Sequence, residues 1–221
     1  MRLPLLDDRL SRAAALFPAC AYGADIGADH GRLSCYLLES GKCQRMCVAD
    51  ISADSLRKAE ALLAQKGLSE RADILVGDGL TVLPRPAQAI AILGMGGYTI
   101  AGILENGREL LQGAALILSA HTEIPLIRKT VSSLGYRLEQ EKIALAAGRF
   151  YVLMRAVPGR EDYSDRQLAL GPRLAEDCEA HYPEYLAWQM KITQPKRTEE
   201  AAQTLQWLKE EQERVRNRGN D

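Results

Sequence analysis

Apolar positions recur at three- and four-residue steps through the opening segment: Leu6, Leu10, Ala13, Ala14 and Phe17. That period predicts an amphipathic helix over roughly the first 17 residues, stopped by Pro18. A different rhythm follows. Short apolar runs (Ala21–Ile26, Met46–Ala49 with Asp50 at its end, Asp73–Val76, Ala89–Leu93, Ala114–Leu118) alternate with helical stretches. The helices are read over His30–Leu38, over a stretch capped by Ser52 and closed by Lys66-Gly67, after Gly97, and over Ile124–Leu134. Strands without polar alternation are buried on both faces, so the pattern predicts a parallel sheet covered by helices.

The alternation then breaks. Arg137–Leu145 and Phe150–Val157 are consecutive strands separated by Ala146-Ala147-Gly148-Arg149, a hairpin signal. The fold class is therefore α/β, with parallel strands ending in an antiparallel hairpin. That is how a Rossmann-like class I methyltransferase sheet ends; a dehydrogenase domain more often continues with a parallel sixth strand. Pro158-Gly159 marks a boundary. Beyond it no strand pattern remains. Gly171-Pro172, Pro183 and Pro195 punctuate helical segments, and Ala201, Leu205, Leu208 and Val215 form a narrow seam suited to a short coiled-coil pair. Two domains are expected, 1–158 and 159–221. Trp188 and Trp207 are read as core of the helical pair, and His181 as a surface helix residue.

Composition narrows the function classes. The 221 residues carry 28 Lys+Arg against 29 Asp+Glu, so bulk positive charge does not drive partner choice. Residues 1–158 hold the slight basic excess, because 159–221 carry 10 Lys/Arg against 13 Asp/Glu. Aromatics at 5% argue against a surface paved for base stacking. Five cysteines (Cys20, Cys35, Cys43, Cys47, Cys178) are an odd number and read as reduced thiols. Cys43 and Cys47 have no second ligand pair, and no two histidines stand at metal spacing, so no metal is expected. The opening MRLPLLDDRL has early acids and no continuous apolar stretch, and no run reaches the about 18 apolar residues of a membrane span. A cytoplasmic protein with no membrane contact is expected. Oligomeric state is left open, with a monomer favoured.

Candidate chemistry lies at the strand ends, where open parallel sheets bind ligands. Asp25-Ile26-Gly27-Ala28-Asp29-His30-Gly31 follows the first strand. Its G-x-x-x-G spacing is not the dinucleotide fingerprint, and two acids would repel a pyrophosphate. The loop suits a ligand with a positive end, such as the amino group and sulfonium of S-adenosylmethionine. Asp50, ending the second strand, can accept two ribose hydroxyls. Asp78, in Gly77-Asp78-Gly79, can accept an adenine amine. Gly94-Met95-Gly96-Gly97 offers an open floor with no acid or base. That fits an acceptor needing no deprotonation before attack, such as a ring nitrogen, for which alignment supplies most of the catalysis. His121, in Ser119-Ala120-His121, falls at the rim of the same crevice.

Arg9-Leu10, Ala24-Asp25-Ile26-Gly27-Ala28-Asp29-His30, Gly77-Asp78-Gly79-Leu80 and Gly94-Met95-Gly96-Gly97 together resemble the bacterial tRNA (adenine-22-N1)-methyltransferase family. The tail, with Leu170-Gly171-Pro172 and Tyr185-Leu186, is similar to that family's C-terminal helical pair. The resemblance implies S-adenosylmethionine as donor and N1 of an adenine in the D-arm region of tRNA as acceptor. It implies that Asp25, Gly27, His30, Gly31, Asp50, Ile51, Asp78, Gly79, Gly94 and Met95 line the donor, and that Asp29 is the catalytic acid near the target base. Arg9 and Arg32 are expected to bind substrate, within a basic cleft that also draws on Arg2 and Arg12. The chain departs from the family's pattern at three places. Ser119-Ala120-His121 replaces Gln-Pro-Asn, Arg32 replaces a Tyr, and Ser52-Ala53-Asp54-Ser55 replaces a Gly-Pro. These lie where an acceptor would enter. The competing readings are a methyltransferase on a non-RNA acceptor, a catalytically silent RNA-binding relative, and a nicotinamide-dependent oxidoreductase.

Overall fold

The computed structural model describes residues 5–177 and 181–218. The first half runs α1 (Asp8–Leu16), β1 (Cys20–Ile26), α2 (Arg32–Glu39), β2 (Cys43–Asp50), α3 (Ala53–Gln65), β3 (Ala72–Val76), β4 (Ala89–Met95) and α4 (Gly97–Asn106). Then come α5 (Arg108–Leu111), β5 (Ala115–Ala120), α6 (Ile124–Ser133), β6 (Tyr136–Ala146) and β7 (Arg149–Pro158). Four helices close the chain: α7 (Asp165–Leu170), α8 (Pro172–Asp177), α9 (Tyr182–Thr193) and α10 (Glu199–Arg218).

The seven strands form one sheet in the order β3-β2-β1-β4-β5-β7-β6. The pairs among β1 to β5 are parallel, and β7 runs antiparallel to both β5 and β6. Strand order reverses between β1 and β4, which opens a crevice beyond their carboxyl ends. The alternation of side chains explains the two cores. On β4, Ala89, Ala91 and Leu93 pack under α1, α2 and α3 with Phe17, Leu37 and Met46. Ile90 and Ile92 face the other way, with Leu104, Leu116 and Val152.

The elements follow the sequence pattern, with shifted ends. Helix α1 starts at Asp8 because the Asp7 carboxylate accepts from the Leu10 N–H at 2.8 Å. Helix α2 starts at Arg32, not His30, because Gly31 adopts the left-handed conformation and caps it. Strand β4 runs on to Met95, which pairs with Ala120 across an irregularity. The hairpin turn is the two residues Ala147 and Gly148, both at positive φ, so its strands are longer than predicted. His181 precedes α9 as its cap rather than lying within it.

The tail packs on the sheet as well as on itself. Helices α9 and α10 do pack on each other, but Leu170, Leu174, Tyr182, Tyr185, Leu186 and Leu208 belong to the same core as the sheet. Trp188 meets Phe150 of β7 with ring centroids 5.8 Å apart, and Trp207 also packs on that core. A fully buried ion pair ties the two parts. Arg128 Nε donates to Glu141 at 2.8 Å, Arg128 Nη1 donates to the Leu168 carbonyl at 2.7 Å, and Glu141 accepts from the Arg173 N–H at 3.0 Å. Among the described residues no helix is long and apolar enough to cross a membrane. Arg2 and Cys178 lie outside the described residues.

Candidate functional site

Asp25, next to last in β1, is almost wholly buried, at 4% exposure. It accepts a hydrogen bond from the Ser34 hydroxyl on α2 at 2.7 Å. Burial lifts its pKa to about 6, against the Ser34 hydrogen bonds and with a smaller contribution from Asp50. The loop's start is pinned by backbone: the N–H groups of Gly27 and Ala28 both donate to the Ala49 carbonyl, at 2.8 and 3.0 Å. The backbone favours glycine at Gly27, where φ is +73°, and a Cβ, 2.0 Å from the Met95 methyl carbon, would displace only the flexible end of Met95.

Asp50 holds the loop from the neighbouring strand. Its two oxygens accept from the backbone N–H groups of Asp29 (3.0 Å) and Ser52 (2.8 Å). Asp29 takes a left-handed φ of 49°, unusual without a glycine. One of its oxygens lies 2.5 Å from His30 Nδ1, and the other accepts from the Ser55 hydroxyl at 3.3 Å. Burial pushes the Asp29 carboxyl up, but the His30 and Ser55 contacts outweigh it and hold the group below the ordinary carboxylate range.

These groups open onto one cleft of about 990 Å³. Asp25, Gly27, Asp29, His30, Asp50 and Ile51 line one part of it. Arg9, Arg32, Gly94 and Met95 are also among its lining residues. Three predicted residues are not. Gly31 is buried, and a Cβ there would meet the Ala59 side chain at 2.7 Å, so it lets α2 approach α3. Asp78 and Gly79 follow β3 in a short 3-10 turn, outside the cleft wall, with Asp78 exposed. The basic cleft is also smaller than expected. Arg12 pairs with Asp8 at 3.1 Å and does not line it.

Sequence reasoning missed Lys58 and Thr99. Lys58 and Thr99 line the cleft from α3 and α4, and no motif marked them. Val76 is 60% exposed at the end of β3, in register with Asp50 and beside the 73% exposed Ile51. Of these two exposed apolar side chains, Ile51 lines the cleft and Val76 does not. Cys43 contacts Cys20, with sulfurs 3.2 Å apart, rather than Cys47. Among the described residues no three His, Cys, Asp or Glu side chains are grouped to hold a metal ion.

A doubly wound sheet with its last strand reversed, and acid- and glycine-bearing loops over its switch point, define a Rossmann-like class I methyltransferase. The family model described as a methyltransferase domain matches residues 6–154. The tRNA (adenine(22)-N(1))-methyltransferase of Bacillus subtilis is 32% identical over 197 residues, 86% of this chain and 83% of the relative. The crystal structure of the B. subtilis M1A22 tRNA methyltransferase TrmK superposes with a TM-score of 0.80 at 29% identity, covering 97% of this chain and 98% of that one. A Streptococcus pneumoniae protein crystallised in complex with S-adenosyl-L-methionine shares the fold at a TM-score of 0.88 and 24% identity, covering 94% and 100% of the two chains. The chain belongs to the tRNA (adenine(22)-N(1))-methyltransferase family.

Proposed function

We propose that this protein transfers a methyl group from S-adenosyl-L-methionine to N1 of an adenine in tRNA, adenine 22 as in the name of its B. subtilis relative. A tRNA substrate puts that work in the cytoplasm. The observation that carries the reading is the convergence of Asp25, Asp29 and Asp50 with Arg9 and Arg32 in one cleft at the switch point. It supports a cationic ligand on the floor and an anionic polymer at the mouth.

The residues fit the donor. Asp25 is a buried carboxylate facing the cleft that accepts from the Ser34 hydroxyl, suited to an ammonium group. Asp50 uses one lone pair of each oxygen on the loop and keeps the others for ribose hydroxyls. Ile51, exposed in the cleft beside Asp50, would carry the adenine ring. When bound, the donor supplies an electrophilic methyl on a sulfonium. The acceptor N1 carries its own lone pair, so no residue must remove a proton first. The target ring gains positive charge instead. Asp29, held ionised by His30 and Ser55, accepts from the exocyclic amine and stabilises that charge. We assign residues 1–158 to donor binding and 159–221 to gripping tRNA by shape, with the single chain as the working unit.

The test is to incubate the protein with S-adenosyl-L-methionine and unmodified bacterial tRNA, then digest and weigh the nucleosides. New 1-methyladenosine is expected. Asp29→Ala should lower kcat about 100-fold with donor affinity near wild type. Donor binding without any methylated nucleoside would overturn the reading in favour of a non-RNA acceptor or a silent relative.

A further inference from the structure

Two thiols meet at the amino ends of the strands, away from the cleft. Cys20 opens β1 and Cys43 opens β2, and the two are register partners across the parallel pair. Their sulfurs lie 3.2 Å apart. Neighbouring strands stand about 4.8 Å apart, inside the roughly 4.4–6.8 Å between Cα atoms that a disulfide accepts. The backbone already holds the spacing of a bond, and only the sulfurs need to move. The same edge is fastened on both sides. The Cys20 N–H donates to the Lys42 carbonyl at 3.0 Å, and Arg71 Nη2 donates to the Cys43 carbonyl at 2.7 Å.

The two thiols differ in access. Cys20 is half-buried between the exposed Ala19 and Ala21, whereas Cys43 is fully buried. They differ in proton affinity as well. The hydrogen bond from Cys43 holds the Cys20 thiol below its ordinary range, against burial. The same bond, and then burial, push the Cys43 thiol up; the charges of Lys42 and Arg71 act against this without reversing it. Cys43 thus keeps its proton and donates it to Cys20. Burial raises the other two described cysteines, Cys35 and Cys47, the latter to about 12. Among the described thiols, Cys20 alone combines access with thiolate character, and the thiolate is the form that attacks.

We propose that Cys20 and Cys43 form a dithiol oxidation site in which Cys20 attacks and Cys43 resolves, with a low-molecular-weight disulfide as the oxidant. The Cys20 thiolate attacks one sulfur of that disulfide. Its S–S bond breaks, and the expelled thiolate takes up a proton. Cys43 then loses its proton to solvent and attacks the Cys20 sulfur of the mixed disulfide. The Cys20–Cys43 bond forms, and the second small thiolate leaves and is protonated. One small disulfide is reduced to two thiols while two protein thiols are oxidised. The site stands apart from methyl transfer, because β1 runs seven residues from Cys20 to Ile26 and so places the cleft loop about 20 Å away.

The test incubates the reduced, full-length protein with oxidised glutathione under native conditions and maps the unreduced peptides by mass. Donor affinity, read in parallel, reports folding. The Cys20 and Cys43 peptides should appear linked, two hydrogens lighter than the separate pair, and dithiothreitol should restore both thiols. Cys43→Ala should stop at the mixed disulfide, with glutathione carried on Cys20. Cys20→Ala should slow oxidation at Cys43 at least about tenfold, because the remaining thiol is buried and protonated. Wild type whose Cys20 and Cys43 stay free, or join only in denaturant, would overturn the inference. So would Cys43 of Cys20→Ala reacting as fast as the wild-type pair closes, or Cys20 staying unmodified in a Cys43→Ala protein that still binds donor. Each of these results leaves the tRNA reading standing.

Discussion

Burial gives Asp25 a pH dependence whose sign can be worked out. Its carboxyl is raised from 3.8 to about 6, so between those values the folded, ligand-free protein keeps a proton that the unfolded chain has lost. Its contribution to stability is therefore present below 3.8 and lost as pH rises through about 6. A cationic donor reverses the preference, because it favours the carboxylate. Donor binding is expected to strengthen as pH rises through about 6 and to release protons there. Calorimetry in two buffers of different ionisation enthalpy reads both effects. Asp25→Asn should keep the Ser34 hydrogen bond, abolish the proton release and weaken the donor by at least about 30-fold. Asp25 was legible in the sequence as an acid at a strand end. Its burial under Ser34, nine residues on, was not, because that depends on where α2 lies against β1.

At the scale of elements, α3 supports the loop as well as the core. Ser52 caps it by accepting from the Ser55 N–H at 3.2 Å, and the Ser55 hydroxyl in turn holds Asp29. Ser52→Ala is expected to cost about 1 kcal/mol in urea denaturation. The cap was readable from sequence, because a serine ahead of an apolar-periodic run has one physical use. The delivery of its third residue to Asp29 was not. Element ends shifted for equally local reasons, such as the Gly31 cap that leaves His30 free to reach Asp29.

Across the whole molecule, the Arg128–Glu141 pair decides how the tail behaves. Glu141→Ala would leave a buried guanidinium without its carboxylate, at a cost of about 3–5 kcal/mol by chemical denaturation. Cutting the chain at 158 would remove the Leu168 carbonyl and the Arg173 N–H from the same pair and uncover the core beneath Tyr182 and Leu186. Truncation is thus expected to lower stability, and surface substitutions on α10 are the cleaner probe of tRNA gripping. At the mouth, Arg32→Ala should weaken tRNA binding and reduce the slope of log affinity against log salt by about 1, with donor binding unchanged. Titration at several salt concentrations checks this.

The sequence by itself determined the order of strands and helices, the closing hairpin, and the loops that meet over the switch point. These depend on periodicity, glycine and capping, which act over a few residues. Tertiary structure alone decided which cations reach the cleft, that Gly31 packs rather than lines it, and that the tail shares the sheet's core. It also brought Arg9 and His121, separated by 112 positions, to Gly94 and set both against the Tyr151 ring. Such meetings are set by how buried faces pack, and packing is a property of pairs of elements that no single segment of sequence carries.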